Sequence, residues 1–194
     1  MVSANNEVRS AIVAAAREVF ARYGFRKATM EDIARAARKG KSSLYHYFNS
    51  KEEVFQAVVE KEGGILEQQI EEALEREKTP QAKICTYTMK RMEMLNQVAN
   101  FYSAFKDEYL EQYASIQKLR RKFDAWETAT IKSILQEGVD KGVFVVHDLE
   151  LAAFTIMTAM KGLEYHWAMQ KDVSKIRNGI SSLFDILFNG IMKR

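Results

Sequence analysis

The sequence predicts an all-α protein of about nine helices, and three observations favour this fold class. Apolar residues recur at three- and four-residue intervals in most segments, which is the period of an amphipathic helix. The 194 residues include one Pro and no low-complexity tract or internal repeat. Residues that commonly cap helices stand just before several apolar runs. The 47% apolar and 28% charged content is that of an ordinary globular protein.

The first predicted helix extends from about Glu7 to Tyr23. Its apolar residues form one stripe, namely Val8, Ile12, Ala15, Ala16, Val19, Phe20 and Tyr23. Gly24 follows the stripe, and a Gly there can end the helix in a Schellman-type cap. We therefore expect Phe25 to cover Phe20.

A second, shorter helix is predicted to begin at about Met30. The hydroxyl of Thr29 can accept from the free N–H groups of the first turn, and Asp32 completes a capping box. The apolar positions of this helix form a narrow face of Met30, Ile33, Ala34 and Ala37. The segment Arg38-Lys39-Gly40 interrupts the pattern, and we expect Gly40 to supply the positive φ of a tight turn.

The third predicted helix, from about Lys41 to Tyr47, buries Leu44 with Tyr47 or Phe48. Its opposite face carries Lys41, Ser42, Ser43, Tyr45 and His46. These side chains can bond phosphate oxygens and base edges, and a short helix can enter a major groove. The first three helices therefore predict a helix-turn-helix domain that binds DNA. Arg26 and Lys27 precede a helix N-terminus, which attracts anions, so we add them as phosphate contacts.

The charge distribution agrees with this interpretation. Residues 1–51 contain ten Lys or Arg against four acidic residues, a net charge of +6, whereas the whole chain is +3. Residues 52–194 therefore carry −3. A basic surplus confined to one end is typical of a phosphate-binding module.

The fourth predicted helix runs from Lys51, after a capping box of Ser50 and Glu53, to about Arg76. Gly63 and Gly64 weaken its middle. Thr79-Pro80 is a strong helix start, so we place a domain boundary before it. We thus expect a DNA-binding domain at residues 1–50, a connecting helix at 51–78 and a third segment at 79–194.

Helix ends between residues 81 and 137 are hard to predict because no Gly or Pro occurs before Gly138. One apolar stripe joins Ile84, Tyr87, Met92, Leu95 and Ala99, a second joins Phe101, Phe105, Tyr109 and Tyr113, and a third runs from Leu119 to Leu135. The third helix is expected to close at Gly142. Asp148 caps the next helix, which is apolar nearly all round, and a last helix covers about Val173 to Ile191.

Several other classes of protein are disfavoured. No apolar run approaches the ~18 residues of a membrane span, and the N-terminus lacks a signal region, so we expect a cytoplasmic protein with no membrane association. Cys85 is the single cysteine and fits a reducing compartment. The three histidines, His46, His147 and His166, are far apart and form no HExxH or ExxH motif. We therefore expect no enzyme, no metal and no cofactor.

Residues 29–55, TMEDIARAARKGKSSLYHYFNSKEEVF, resemble the DNA-binding signature of the TetR/AcrR family of bacterial transcriptional repressors. The resemblance is specific over about residues 9–58 and elsewhere extends only to length and helical character. Lys39 and Gly40 depart from the family pattern, which usually has a small apolar residue and a Ser there. The resemblance implies a repressor that binds a pseudo-palindromic operator. Including Lys51 as a phosphate clamp, the predicted DNA contacts are Arg26, Lys27, Thr29, Lys39, Lys41, Ser42, Ser43, Tyr45, His46 and Lys51.

The last two helices have more apolar surface than one neighbour would cover. They predict an isologous homodimer face that forms a four-helix bundle, which is also the arrangement that the resemblance implies. We expect this face to include Phe154, Met157, Ile180, Phe184, Leu187 and Phe188.

The region from residue 79 onward is also rich in Met and aromatic side chains, which can line a cavity for a hydrophobic ligand. Such a stripe is more often plain core, but proteins similar to TetR commonly bind an inducer in this region. We expect the ligand site to include Met92, Phe105, Tyr109, Phe123, Trp126 and Trp167. The sequence thus predicts a homodimeric repressor released by a small hydrophobic or aromatic ligand. The alternative is a DNA-binding protein of the same fold that is controlled by a protein partner.

Overall fold

The computed structural model describes residues 2–94, 97–106, 113–168 and 173–189, and over these ranges the chain is helical with no strand. The predicted all-α fold is therefore confirmed. The described helices are α1 Val2–Lys27, α2 Met30–Ala36, α3 Lys41–Tyr47, α4 Lys51–Leu74, α5 Pro80–Glu93, α6 Ala99–Lys106, α7 Ala114–Asp140, α8 Leu149–Ala168 and α9 Val173–Asn189.

The chain forms two compact units. Unit 1 consists of Met1–Ile65 and Val98–Arg120, and unit 2 consists of Leu66–Gln97 and Arg121–Arg194. In unit 1, α1 packs against α2 and α6, and α2 packs against α3. In unit 2, α5 packs against α8 and α9. The division between the units falls within α4 and α7, whereas the domain boundaries at residues 50 and 78 stay predictions.

Helix α1 is interrupted at Gly24, where the sequence predicts its end, and then continues to Lys27. Gly24 breaks the helix with φ 73° and ψ 163°, a conformation that glycine adopts without strain. After this kink, the ring of Phe25 lies 6.0 Å from that of Phe20 and 4.9 Å from that of Phe55. The predicted cover of Phe20 by Phe25 is confirmed. The helix itself begins at Val2, five residues before the predicted start.

The turn between α2 and α3 differs from the prediction at Gly40. Gly40 is the N-cap of α3 with an extended backbone (φ −71°, ψ 152°), and Arg38 has the positive φ, at 53°. The N–H of Arg38 donates to the carbonyl of Arg35, and the N–H of Lys39 donates to that of Ala34. These two bonds form a Schellman motif with Arg38 at the left-handed position. The prediction was wrong because the two hydrogen bonds of the Schellman motif determine which residue takes the positive φ. That residue is Arg38, although Gly40 would adopt a positive φ with less strain.

The start of α4 also differs in one detail from the predicted capping box. Ser50 Oγ accepts from the N–H of Glu53 at 3.2 Å, as expected. The Glu53 carboxylate, however, accepts from the backbone N–H of Asn49 at 2.5 Å instead of that of Ser50. The cap therefore extends one residue further back along the chain.

Within unit 1, the middle of α4 holds α1 and α6 together. Glu62 is buried, and its carboxylate accepts from Arg17 Nε, from Asn100 Nδ2 and from the backbone N–H of Phe101, each at 2.9 Å. A Cβ on the adjacent Gly63 would lie 3.0 Å from the ring of Phe101. The glycine thus permits α6 to pack directly on the backbone of α4.

Helix α5 of unit 2 begins at the residue predicted from the sequence. Thr79 Oγ1 accepts from the N–H of Ala82 at 3.2 Å, and Pro80 occupies the first turn of α5. The stripe from Ile84 to Ala99 is not one helix, because α5 ends at Glu93 and α6 begins at Ala99. Apolar spacing alone did not reveal that interruption, since the segment contains no Gly or Pro.

The C-terminal end of α7 closes as predicted at Gly142, which has φ 67°. The N–H groups of Val143 and Phe144 both donate to the carbonyl of Gly138. The ring of Phe144 lies so close to Gly138 that a Cβ there would be 1.9 Å from Cδ2 of Phe144. The ring of Phe144 also stacks on Phe188, with centroids 5.9 Å apart. A side chain at position 138 is therefore incompatible with this arrangement.

Candidate functional sites

Helix α3 has a buried anchor and an exposed polar face. Leu44 is fully buried and Phe48 nearly so, while the guanidinium of Arg9 lies 4.9 Å from the Phe48 ring. Lys41, Ser42, Tyr45 and His46 are exposed, and Ser43 is half-buried. Fixing one face of a seven-residue helix in the core leaves the other face available to a partner. The two-sided division of α3 predicted from sequence is confirmed, and its DNA contacts stay predictions.

Lys41, at the start of α3, is paired with an acid on α2. Its ammonium donates to the carboxylate of Glu31. This hydrogen bond raises the pKa of Lys41 and lowers the pKa of Glu31. A phosphate that binds Lys41 therefore competes with Glu31.

Thr29 acts locally as a helix cap. Its hydroxyl donates to Asp32 Oδ2 at 2.6 Å and accepts from the backbone N–H of Asp32 at 3.1 Å. The Thr29 hydroxyl thereby lowers the pKa of Asp32, and Arg35 pairs with the same carboxylate. The capping box predicted for α2 is confirmed. The flanking cations Arg26, Lys27 and Lys39 are exposed.

Lys51 is already engaged by the protein. Its ammonium donates to the carbonyls of Phe25 at 2.9 Å and Ala28 at 3.0 Å, and it lies 4.5 Å from the centroid of the Phe25 ring. Two of its three N–H groups thus hold the segment that leads into α2, which leaves one for a phosphate. This holding role was not evident from the sequence.

In unit 2, two of the described members of the predicted ligand site form a stacked pair. Phe123 and Met92 are buried, and Phe123 stacks on Trp126 with ring centroids 5.4 Å apart. The indole N–H of Trp126 donates to Glu71 at 3.2 Å. Tyr109 and the side chains of Phe105 and Trp167 lie outside the described residues.

A buried charged cluster beside this pair was missed by the sequence reasoning. Glu127 on α7 is fully buried, forms an ion pair with buried Arg91 on α5, and accepts from the hydroxyl of Tyr87 at 2.6 Å. The guanidinium of Arg91 lies 5.9 Å from the Phe123 ring. The sequence did carry a positional signal. Arg91 follows Tyr87 by four residues and Glu127 follows Phe123 by four residues, so each charged residue lies on the core-facing side of its helix. A buried ion pair is costly and therefore often functional.

A groove of about 430 Å³ opens along α7. Trp126, Thr130 and Glu137 line it together with Lys83 of α5. Lys83 donates to Glu137 at 2.6 Å, as does Lys141, and these bonds lower the pKa of Glu137. The groove therefore combines an aromatic wall with a polar end in which two lysines pair with Glu137.

The predicted dimer face is divided by burial. Phe154 and Leu187 are exposed by 55% and 50%, whereas Met157, Ile180 and Phe184 are buried within unit 2, and Phe188 is half-buried. Leu151 and Ile186, which were not predicted, are exposed by 61% and 50%. Among the described side chains of α8 and α9, the large apolar ones that are at least half exposed are Leu151, Phe154, Ile186 and Leu187.

Neither a membrane span nor a metal site is evident in the part of the chain that the structure describes. No helix there combines the length and the apolar character needed to cross a membrane. The same residues contain no cluster of three or more His, Cys, Asp or Glu placed to hold a metal ion.

The fold and the exposed α3 face define a helix-turn-helix DNA-binding protein, and comparison with known proteins agrees. Residues 12–58 match the family described as "Bacterial regulatory proteins, tetR family". The HTH-type transcriptional regulator YfiR of Bacillus subtilis is 30% identical over 139 residues, which cover 69% of this chain and 66% of YfiR. The chain belongs to the TetR family of transcriptional regulators.

Solved structures share the fold at lower sequence identity. The regulator FadR from Bacillus subtilis, in complex with stearoyl-CoA, superposes with a TM-score of 0.77 at 21% identity, covering 94% of this chain and 99% of FadR. The regulator AibR, in complex with isovaleryl coenzyme A and operator DNA, gives a TM-score of 0.70 at 16% identity, covering 93% of this chain and 98% of AibR.

Proposed function

We propose that this chain is a homodimeric repressor that binds a pseudo-palindromic operator and is released by a small hydrophobic ligand. The observation that carries the DNA-binding part is the exposed face of α3, where Lys41, Ser42, Tyr45 and His46 project from a helix anchored by Leu44. Arg26, Lys27 and Lys39 add positive charge around it. These groups suit phosphate contacts at the rim and base contacts at the centre.

A homodimer is supported by the exposed apolar residues of α8 and α9. Leu151, Phe154, Ile186 and Leu187 are each at least half exposed. Large apolar side chains left on a surface can mark an interface, and a two-fold symmetric interface between two copies would cover the same residues on both. The two α3 helices would then enter successive major grooves about 34–36 Å apart.

The proposed ligand class follows from the cluster of unit 2 and from the neighbours. Phe123 stacks on Trp126 and lies 5.9 Å from the guanidinium of Arg91, and Met92 is buried on the same helix as Arg91. Aromatic and thioether side chains of this kind suit an adaptable apolar ligand site. FadR and AibR bind acyl thioesters of coenzyme A, so stearoyl-CoA and isovaleryl-CoA are the first compounds to test. We propose no catalytic role. We also propose that the protein acts in the cytoplasm, because the operator lies on the chromosome.

The experiment is operator selection from random DNA, followed by release assays on the selected sequence. We expect one symmetric site bound by two copies, and a large rise in the dissociation constant when the ligand is added. Failure to select any sequence would refute DNA recognition. Selection without release by either thioester, or by a wider panel of hydrophobic compounds, would instead favour control by a protein partner.

A further inference from the structure

The buried carboxylate of Glu127 has one satisfied oxygen and one open oxygen. Oε1 accepts from the Tyr87 hydroxyl at 2.6 Å and pairs with Arg91. Oε2 is buried and accepts no hydrogen bond from the described residues. The ammonium of Lys161 lies 3.8 Å from Oε2, beyond hydrogen-bond distance, and is bonded to Asp124 at 2.5 Å.

An open acceptor of this kind requires an explanation. Native proteins satisfy nearly all of their buried polar atoms, because an acceptor removed from water without a donor destabilises the fold. Two flexible thioethers contact residues that are adjacent in sequence to Glu127 and Tyr87: the Thr128 hydroxyl donates to Met157 Sδ at 3.5 Å, and the Thr88 hydroxyl donates to Met160 Sδ at 3.1 Å. Flexible methionine side chains can change rotamer to make room for a ligand.

The charges around Glu127 indicate what kind of donor would fit. Glu127 and Asp124 carry two negative charges, and Arg91 and Lys161 carry two positive charges, so the charges of these four described side chains balance. A cation would add an uncompensated charge in a buried site, and an anion would face the carboxylate. A neutral hydrogen-bond donor satisfies Oε2 and leaves the balance unchanged.

We infer that Glu127 is the polar anchor of the ligand site in unit 2. Its Oε2 accepts a hydrogen bond from a hydroxyl or an amide N–H carried by an otherwise apolar ligand. Phe123 and Met92 provide the apolar contacts on the same two helices. This inference rests on the proposed function, of which it specifies the ligand chemistry.

Matched probes test the donor requirement on the full-length protein. The probes are straight-chain primary alcohols from hexanol to tetradecanol and the methyl ether of each, with affinity measured by calorimetry and thermal unfolding. The best alcohol should bind about tenfold more tightly than its ether, because a hydrogen bond to a charged acceptor is among the stronger ones. If alcohol and ether bind equally, or if no alcohol in the series binds, the inference is overturned.

Variants of Glu127 test the position. In Glu127→Gln an amide N–H2 replaces the open oxygen, so the ether should now bind at least as well as the alcohol. Glu127→Asp retains the charge but withdraws the carboxylate, so the alcohol should lose its advantage; this variant serves if Glu127→Gln does not fold. The control Glu150→Gln, on the exposed side of α8, should keep the wild-type preference. An unchanged preference in the folded Glu127 variants would contradict the assignment.

Release of the operator separates this inference from the proposed function. If stearoyl-CoA or isovaleryl-CoA releases DNA from the wild type and from the Glu127 variants alike, while alcohols show no preference, the repressor proposal stands and the Glu127 assignment fails. If neither operator selection nor release succeeds, the proposed function fails whatever the alcohol data show.

Discussion

Glu62 offers the sharpest prediction about the stability of unit 1. Its buried carboxylate accepts from Arg17 Nε and Asn100 Nδ2 on one oxygen and from the Phe101 N–H on the other. In Glu62→Gln the new amide has one acceptor oxygen and one N–H2 group. Whichever way the amide is oriented, its N–H2 faces at least one of the three donors, and the ion pair with Arg17 is lost.

The expected cost is about 3 kcal/mol in the free energy of unfolding. A donor that loses its acceptor in a buried site costs roughly 1–3 kcal/mol, and breaking a buried ion pair costs about 3–5 kcal/mol. The lower end applies because the Arg17 side chain is 30% exposed and because Gln fills the same volume and keeps one acceptor. For a chain of this length each kcal/mol lowers Tm by about 2–4 °C, so we expect a decrease of roughly 6–12 °C.

The assay is thermal and urea unfolding at fixed protein concentration. Glu60→Gln is the matched control, since Glu60 lies on the exposed side of the same helix and its change should stay within about 0.5 kcal/mol. If Glu62→Gln unfolds with the same midpoint as Glu60→Gln, the three hydrogen bonds do not hold α1 and α6 to α4, and the reasoning is refuted.

Three further predictions concern other positions. Gly138→Ala should destabilise unit 2 by about 1–3 kcal/mol, because its Cβ would overlap the Phe144 ring. A urea concentration at the unfolding midpoint equal to that of the wild type would contradict that packing. Arg38→Gly should be neutral or up to ~1 kcal/mol stabilising, because Arg38 has a positive φ; a loss above that size would contradict the Schellman turn. Glu31→Gln should tighten binding to all DNA sequences by freeing Lys41, whereas Lys41→Met should weaken binding uniformly and reduce the salt slope by about one; titrations at several salt concentrations would decide, and opposite signs would refute the competition.

The first four helices were predictable where short-range caps fixed them. Thr29 with Asp32 set the start of α2 to the residue, because both hydrogen bonds of the box lie within four residues. Gly24 set the break inside α1 for a similarly local reason, since its positive φ interrupts the helix. Gly40 misled because the left-handed position is determined by which carbonyls the turn must satisfy, and Arg38 occupies it at a modest energetic cost.

Long-range pairing was not predictable in the same way. The contacts that join Glu62 to Asn100 and Glu127 to Arg91 cross 38 and 36 residues of sequence, and nothing local marks the partners. The break between Glu93 and Ala99 also left no signal, because no residue there forbids a helix. Lys51 was predicted as a phosphate contact since its charge is visible in the sequence, whereas the two carbonyls that it binds become neighbours only in the fold.

The central claim is that α3 reads DNA sequence, and truncation on a selected operator tests it most directly. Tyr45→Ala and His46→Ala should each weaken operator binding by about tenfold or more, since a base contact contributes ~1–3 kcal/mol of discrimination, while binding to random DNA changes little. Tyr23→Ala, at a comparably exposed tyrosine of α1, is the control and should bind as wild type. Operator affinity that is unchanged in both α3 variants would contradict the assignment of α3 as the recognition helix.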